Sequence, residues 1–286
     1  LTLACFWAID AFLQLQPENF TSGLVFGTIL GNAEHQPQPI FGSLVTASHL
    51  LAPYPVELSA AIITAQLALA AGLLWRRTVT LALAASIPWA LGIWWLGEGL
   101  GGVFAGKATL LVGGPGPALL YALLALVAWP REPARSPDGG SAIAASGALG
   151  ERGTAWVWAV LWVGEAVLRV VPFWFAPVYA LTGDLQLGLD AEPRWILRLN
   201  TWLSHLAAGA GLPLVIGLGV VEAVIGLGVL TRHRRAALTA GIALSAVYWV
   251  VGQQFAGLLT GSATDISSAP LFILMAIALW PGRSAV

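Results

Sequence analysis

Cysteine is nearly absent from this chain: among 286 residues only Cys5 carries a thiol. One thiol cannot close an intrachain disulfide, form a CxxC redox pair or ligate an iron–sulfur cluster by cysteine alone. Internal thiol–disulfide relay and iron–sulfur chemistry are therefore excluded. Histidine is also scarce. His35, His49, His205 and His233 are the four, and none lies midway along an apolar run, which speaks against a haem held between two buried histidines. Charge is the third shortage: 9% of residues are charged, against about 25% in soluble domains. No Walker loop, dinucleotide fingerprint or nucleophile elbow occurs. A net charge of −1, with basic residues scattered, argues against nucleic acid as a partner.

What the chain does have is apolar length. It is 58% hydrophobic, with a mean hydropathy of +0.81. Runs close to the roughly 20 residues that cross a bilayer recur along it. Eight are expected to be transmembrane helices, at about 1–16, 54–74, 79–97, 116–130, 154–171, 212–230, 236–255 and 269–281. The chain opens on Leu1 without a Met, so the first of these is expected to be shortened at its start.

The basic residues give an orientation. Nine of the thirteen, Arg76, Arg77, Arg131, Arg135, Arg152, Arg232, Arg234, Arg235 and Arg283, follow the even-numbered runs or precede the fifth. The positive-inside rule puts those loops, and both termini, in the cytoplasm of a plasma-membrane protein. The stretch 131–153, rich in Pro, Gly, Ser and Ala, reads as a cytoplasmic linker between residues 1–130 and 154–286.

Those two segments say nearly the same thing. Trp7-Ala-Ile-Asp10-Ala-Phe-Leu-Gln14, followed by Pro17, returns as Trp162-Val-Gly-Glu165-Ala-Val-Leu-Arg169, followed by Pro172, 155 positions on. Trp94 through Gly97 and Glu98 returns as Trp249 through Gly252 and Gln253 at the same offset, and Trp129-Pro130 returns as Trp280-Pro281. An even number of helices per copy makes both copies run the same way. The expected fold is all-α: two tandem four-helix bundles related by a parallel pseudo-two-fold along the membrane normal.

Polar residues matched across the copies are the functional candidates. Asp10 matches Glu165, Gln14 matches Arg169, and Glu98 matches Gln253; at offset 156, Gln66 matches Glu222 and His49 matches His205. Each i, i+4 couple, Asp10 with Gln14 and Glu165 with Arg169, shares a helix face. Ionisable groups within apolar helices are costly and face a bundle interior or a cavity. Their plainer roles are a sealing ion pair between Glu165 and Arg169, buried hydrogen bonds at Asp10 and Gln14, interfacial placement of the histidines, and helix-end capping at Glu98 and Gln253. No metal is expected, because each copy offers one histidine and only two or three acids or amides, fewer than a zinc or copper site converges.

Several helix patterns resemble the DoxX-type membrane domain. Val221-Glu222-Ala-Val-Ile-Gly-Leu-Gly-Val-Leu230, with Thr231-Arg-His-Arg-Arg235, is similar to that family's second helix and basic turn, and Leu161 through Arg169 to its opening helix. The first copy follows with Gln66 in place of Glu222 and with Gly72-Leu-Leu-Trp-Arg76-Arg77. The resemblance implies two fused four-helix units, and a membrane subunit linked to quinone-dependent oxidation, accessory or catalytic. A quinone-like lipophile is then the implied cofactor. It would sit near the outer leaflet between Glu165, Arg169, His205, Glu222 and Gln253, or between Asp10, Gln14, His49, Gln66 and Glu98. Membrane lipid and other membrane or extracytoplasmic subunits are the implied partners. Two other classes stay open: a small-molecule or ion transporter, and a structural subunit of a larger complex. Three ionisable groups at Glu165, Arg169 and Glu222, against one at their counterparts, make the second copy the expected seat of activity, with Arg169 paired to Glu165 or to an anion.

Overall fold

A computed structural model describes residues 1–106, 108–130, 147–175, 179–187, 189 and 192–281. Among them are ten α-helices and no strand. In chain order these are α1 (Thr2–Leu13), α2 (Gln38–Leu51), α3 (Pro55–Leu74), α4 (Val79–Leu96), α5 (Pro117–Val127), α6 (Gly150–Phe175), α7 (Tyr179–Gln186), α8 (Arg194–Gly228), α9 (Arg234–Val250) and α10 (Ser268–Ala278).

Four helices are long and apolar enough to cross a membrane: α3, α4, α6 over Gly150–Val170, and α8. The expected count was eight. The difference has a local cause. α1, α5 and α10 run for 12, 11 and 11 residues, so at about 1.5 Å per residue they reach about 17–18 Å, short of a hydrocarbon core of about 30 Å. α5 cannot start earlier because Gly113 and Gly116, with φ of 97° and 102°, hold left-handed backbone ahead of Pro117. α9 begins at Arg234 and Arg235 and stops after 17 residues.

α8 holds the span expected at 212–230 and extends ahead of it to Arg194. Gly211 breaks it with φ 53°, ψ −133°, two residues before Pro213, whose ring and missing N–H interrupt the helix there. Of the expected linker, 131–146 lies outside the described residues, while α6 already begins at Gly150.

α1 packs on α3, α3 on α4, and α4 on α5, while α1 also touches α5. In the rest of the chain α6 packs on α8, α8 on α9, and α9 on α10. The two sets meet where α5 packs on α10. Buried aromatics fill each set: Trp7 stacks on Tyr121 at 4.1 Å between centroids, and Trp162 meets Phe272 edge-on at 5.6 Å.

One backbone feature occurs twice. After α4, Gly99, Leu100, Gly101 and Gly102 all hold positive φ, between 53° and 70°; after α9, Gln254, Phe255, Ala256 and Gly257 do the same, between 47° and 65°. Left-handed backbone costs a residue with a Cβ of the order of 1 kcal/mol or more. Four in a row that include Leu100, Gln254, Phe255 and Ala256 mark a turn imposed by its surroundings. Gly101 shows the constraint, since an added Cβ would fall 1.8 Å from the Pro115 carbonyl oxygen.

Candidate functional site

A cavity of about 390 Å³ opens between α1, α3, α4 and the start of α5, closed at one end by Thr264 and Asp265 from the loop before α10. Its walls are mostly apolar, with Trp7, Leu24, Ile29, Ile62, Trp89 and Leu96 among them. Pro88 and Gly92 are exposed on its rim, one helical turn apart on α4. A side chain added at Gly92 would meet nothing within 4 Å, so the rim is open there. This volume is of the size that small-molecule sites use.

Four of the ten residues singled out in the sequence line this cavity: Asp10, Gln14, Gln66 and Glu98. Asp10 accepts a hydrogen bond from the Tyr121 hydroxyl at 2.5 Å and from the Ile266 amide at 3.2 Å. Glu98 Oε1 accepts from the Ala118 amide at 2.9 Å and so caps the first turn of α5, while Oε2 has no partner. Gln14 Nε2, Gln66 Oε1, Trp7 Nε1 and Trp89 Nε1 are also buried without a partner. A buried polar atom left unmade costs of the order of 1–3 kcal/mol. Five such atoms around one cavity point to something that belongs in it.

Asp265, which sequence reading did not single out, supplies a further acid. Its carboxylate accepts from the Ser267 amide at 2.7 Å and the Thr264 hydroxyl at 2.9 Å. Burial pushes its pKa above the ordinary carboxyl value against those hydrogen bonds. Burial, then the nearby charge of Asp265, pushes Glu98 well up as well. No Lys, Arg or His stands among the described residues that line the cavity.

The other candidates are brought together elsewhere and differently. Arg169 is paired with Glu222 across two helices rather than with Glu165 one turn back, donating from Nε to Oε2 at 2.9 Å and from Nη2 to Oε1 at 2.5 Å. The Tyr248 hydroxyl donates to Glu222 at 2.8 Å, and the guanidinium lies over the Tyr248 ring, 5.6 Å from the ring centroid. The reason is geometric: a planar guanidinium takes a facing carboxylate in two bonds, which an i−4 partner along the same helix does not present. Glu165 accepts instead from the backbone amide of Leu110, and one of its oxygens is unpartnered. Gln253 donates to the Leu110 carbonyl at 2.7 Å and accepts from the Ala269 amide at 3.1 Å, where it caps α10.

Loops therefore cross between the two parts of the chain. The loop before α5 binds Glu165 and Gln253, and the loop before α10 binds Asp10. Neither histidine joins in. His49 and His205 are exposed, while the preceding Ser48 and Ser204 are buried, so the neighbouring position on each helix turns its side chain outward. Next to the second cluster, Asp184 accepts from the Thr109 hydroxyl at 3.0 Å, and burial lifts its pKa to about 6. Among the described residues no three His, Cys, Asp or Glu side chains converge as metal ligands.

No family model, curated protein or solved structure matches this chain. What the cavity can hold follows from its own groups: an apolar body against the tryptophans, and a polar end among Asp10, Gln14, Glu98 and Asp265. Tyr121 and Asp265 escaped sequence reading for different reasons. Tyr121 is the one polar side chain in α5, a signal that was legible. Asp265 lies in a loop far along the chain, and only the tertiary crossing brings it here.

Proposed function

We propose that the chain is an integral membrane protein that holds a lipophilic small molecule in the cavity of its first half. The observation that carries this reading is the set of buried, unpartnered atoms, Trp7 Nε1, Gln14 Nε2, Gln66 Oε1, Trp89 Nε1 and Glu98 Oε2, around an apolar space open at Pro88 and Gly92. An opening in the side of α4 suits a ligand that arrives from lipid.

The proposal includes two tandem four-helix units with eight spans. The short helices α1, α5 and α10, with α9, would complete the spans together with their flanking turns. Matched details support it. The left-handed turns after α4 and α9 lie 155 positions apart. Glu98 caps α5 as Gln253 caps α10. Trp94 donates to the Pro115 carbonyl as Trp249 donates to that of Ile266. With Arg76, Arg77, Arg232, Arg234 and Arg235 on the cytoplasmic side, this arrangement places both termini there.

The resemblance to DoxX-type domains would make the ligand quinone-like and the protein a redox-linked or accessory subunit. The free donors of Trp7, Gln14 and Trp89 suit quinone carbonyls. A neutral headgroup, however, leaves the cavity's three acids unmatched. The test is calorimetric titration of the purified protein with the tetramethyl quinone duroquinone and with ring-bearing lipophiles, alongside Gly92→Leu, which fills the rim. Saturable binding that Gly92→Leu abolishes supports a ligand site. Binding indifferent to that substitution places the ligand elsewhere.

A further inference from the structure

The two halves balance buried charge differently. In the second, Arg169 pairs with Glu222 and its charge also acts on Glu165. In the first, Asp10, Glu98 and Asp265 share a cavity whose described lining has no basic side chain, and the position matching Arg169 is Gln14, whose amide nitrogen is buried without a partner. Gln66, at the position of Glu222, likewise presents an unpartnered oxygen to the same space. A guanidinium and its carboxylate fill the place in one half; two amides, Gln14 shorter than the arginine it matches, and an open volume occupy it in the other.

We propose that the cavity's ligand carries a cationic nitrogen, which sits among Asp10, Glu98 and Asp265 and supplies the positive charge that Arg169 supplies in the second half. The ligand is a lipophilic amine or ammonium compound. Its apolar body lies against Trp7 and Trp89, whose rings also favour a nearby cation. Its nitrogen meets the unpartnered Glu98 Oε2 and the Gln66 oxygen, both acceptors. The groups that face it and can titrate are Asp10 on α1, Glu98 after α4, Tyr121 on α5 and Asp265 in the loop before α10. This rests on the cavity being the ligand site, and it gives that ligand a charged headgroup in place of a neutral, quinone-like one.

The test is a matched pair of probes with the same ring, 2-naphthylmethylamine and 2-naphthylmethanol, with duroquinone as the third. Each is titrated calorimetrically into the full-length protein in nanodiscs at pH 7. The amine should bind at least roughly tenfold more tightly than the alcohol, about what one partly desolvated charge pair contributes. Glu98→Gln, nearly isosteric, should close most of that gap. Gln14→Arg, which builds in the second half's cation, should remove amine binding and leave the far-UV circular dichroism unchanged. An alcohol or quinone that binds as tightly as the amine, or amine binding that survives Gln14→Arg in folded protein, overturns the cationic ligand while the cavity reading stands. Failure of all three probes to bind overturns both.

Discussion

Arg169 holds Glu222 through two hydrogen bonds across 53 residues of sequence, with Arg169 4% and Glu222 0% exposed. Their matched positions in the first half are Gln14 and Gln66, which do not hydrogen-bond one another and leave polar atoms free. A buried ion pair is a weak source of net stability, but breaking one by removing a single partner is expensive. Arg169→Gln should therefore destabilise the protein by about 3–5 kcal/mol, because it leaves Glu222 buried without its cation. The double change Arg169→Gln with Glu222→Gln should recover most of that loss. Thermal unfolding in one detergent checks both; a double variant as unstable as the single one would mean that Glu222's charge is not the cause.

Glycine at position 116 is required by Glu98. An added Cβ there would lie 2.1 Å from Glu98 Oε2, and φ of 102° disfavours any side chain as well. Gly116→Ala should push the Glu98 carboxylate off its cap on the Ala118 amide, at a cost of about 1–3 kcal/mol. It should also weaken ligand binding at the cavity. Glu98→Gln keeps an acceptor for that cap and should cost about 1 kcal/mol or less. The order of the two melting temperatures decides the matter.

Much of this site was legible. Asp10, Gln14, Gln66 and Glu98 stand out as polar interruptions of apolar runs, and burial of such groups follows from their cost in lipid. Comparison of residues 1–130 with 154–286 picked out matched positions in each. It could not say that Arg169 and Glu222 close on one another while Gln14 and Gln66 border a cavity, because that depends on which helix faces which across α1 and α3 or α6 and α8. The expectation that the second copy is the busier one followed from counting charges; in the fold Arg169 and Glu222 close on one another, while Glu165 keeps one oxygen unpartnered. Helix length was less legible: the apolar runs at 1–16, 116–130, 236–255 and 269–281 continue past Leu13, Val127, Val250 and Ala278, where α1, α5, α9 and α10 end. Asp265 required the crossing of loops, a long-range contact without a local signature.

Asp184 gives a pH dependence with a definite sign. Its pKa in the fold is about 6, raised by burial from an ordinary carboxyl value near 4, with the Thr109 hydrogen bond and Arg169 opposing the rise. The folded state thus holds this proton more tightly than the unfolded chain. Stability contributed here is present below about pH 4 and is lost as pH rises through about 6. The loss is at most about 3 kcal/mol, at about 1.4 kcal/mol per unit. Asp184→Asn should flatten the slope of melting temperature between pH 4 and 6. An unchanged slope would assign it to the cavity acids instead.

Tyr121 offers a way to separate holding the fold from holding the ligand. It packs on Trp7 as Phe272 packs on Trp162, and it differs by the hydroxyl that donates to Asp10. Tyr121→Phe keeps the ring and removes one of the two hydrogen bonds to Asp10, leaving the one from the Ile266 amide. Stability should fall by about 1–3 kcal/mol, the cost of a buried acceptor left short. Binding of 2-naphthylmethylamine should move the other way. With the phenol gone, Asp10 Oδ2 becomes free to meet a cationic nitrogen, so affinity should hold or rise a few-fold, within about 1 kcal/mol. Asp10→Asn should lower that affinity instead, because it removes the charge itself. Calorimetry and thermal unfolding on both variants read the split. If Tyr121→Phe weakens amine binding as much as Asp10→Asn does, the phenol touches the ligand directly, and Asp10 is its support rather than the ligand's partner.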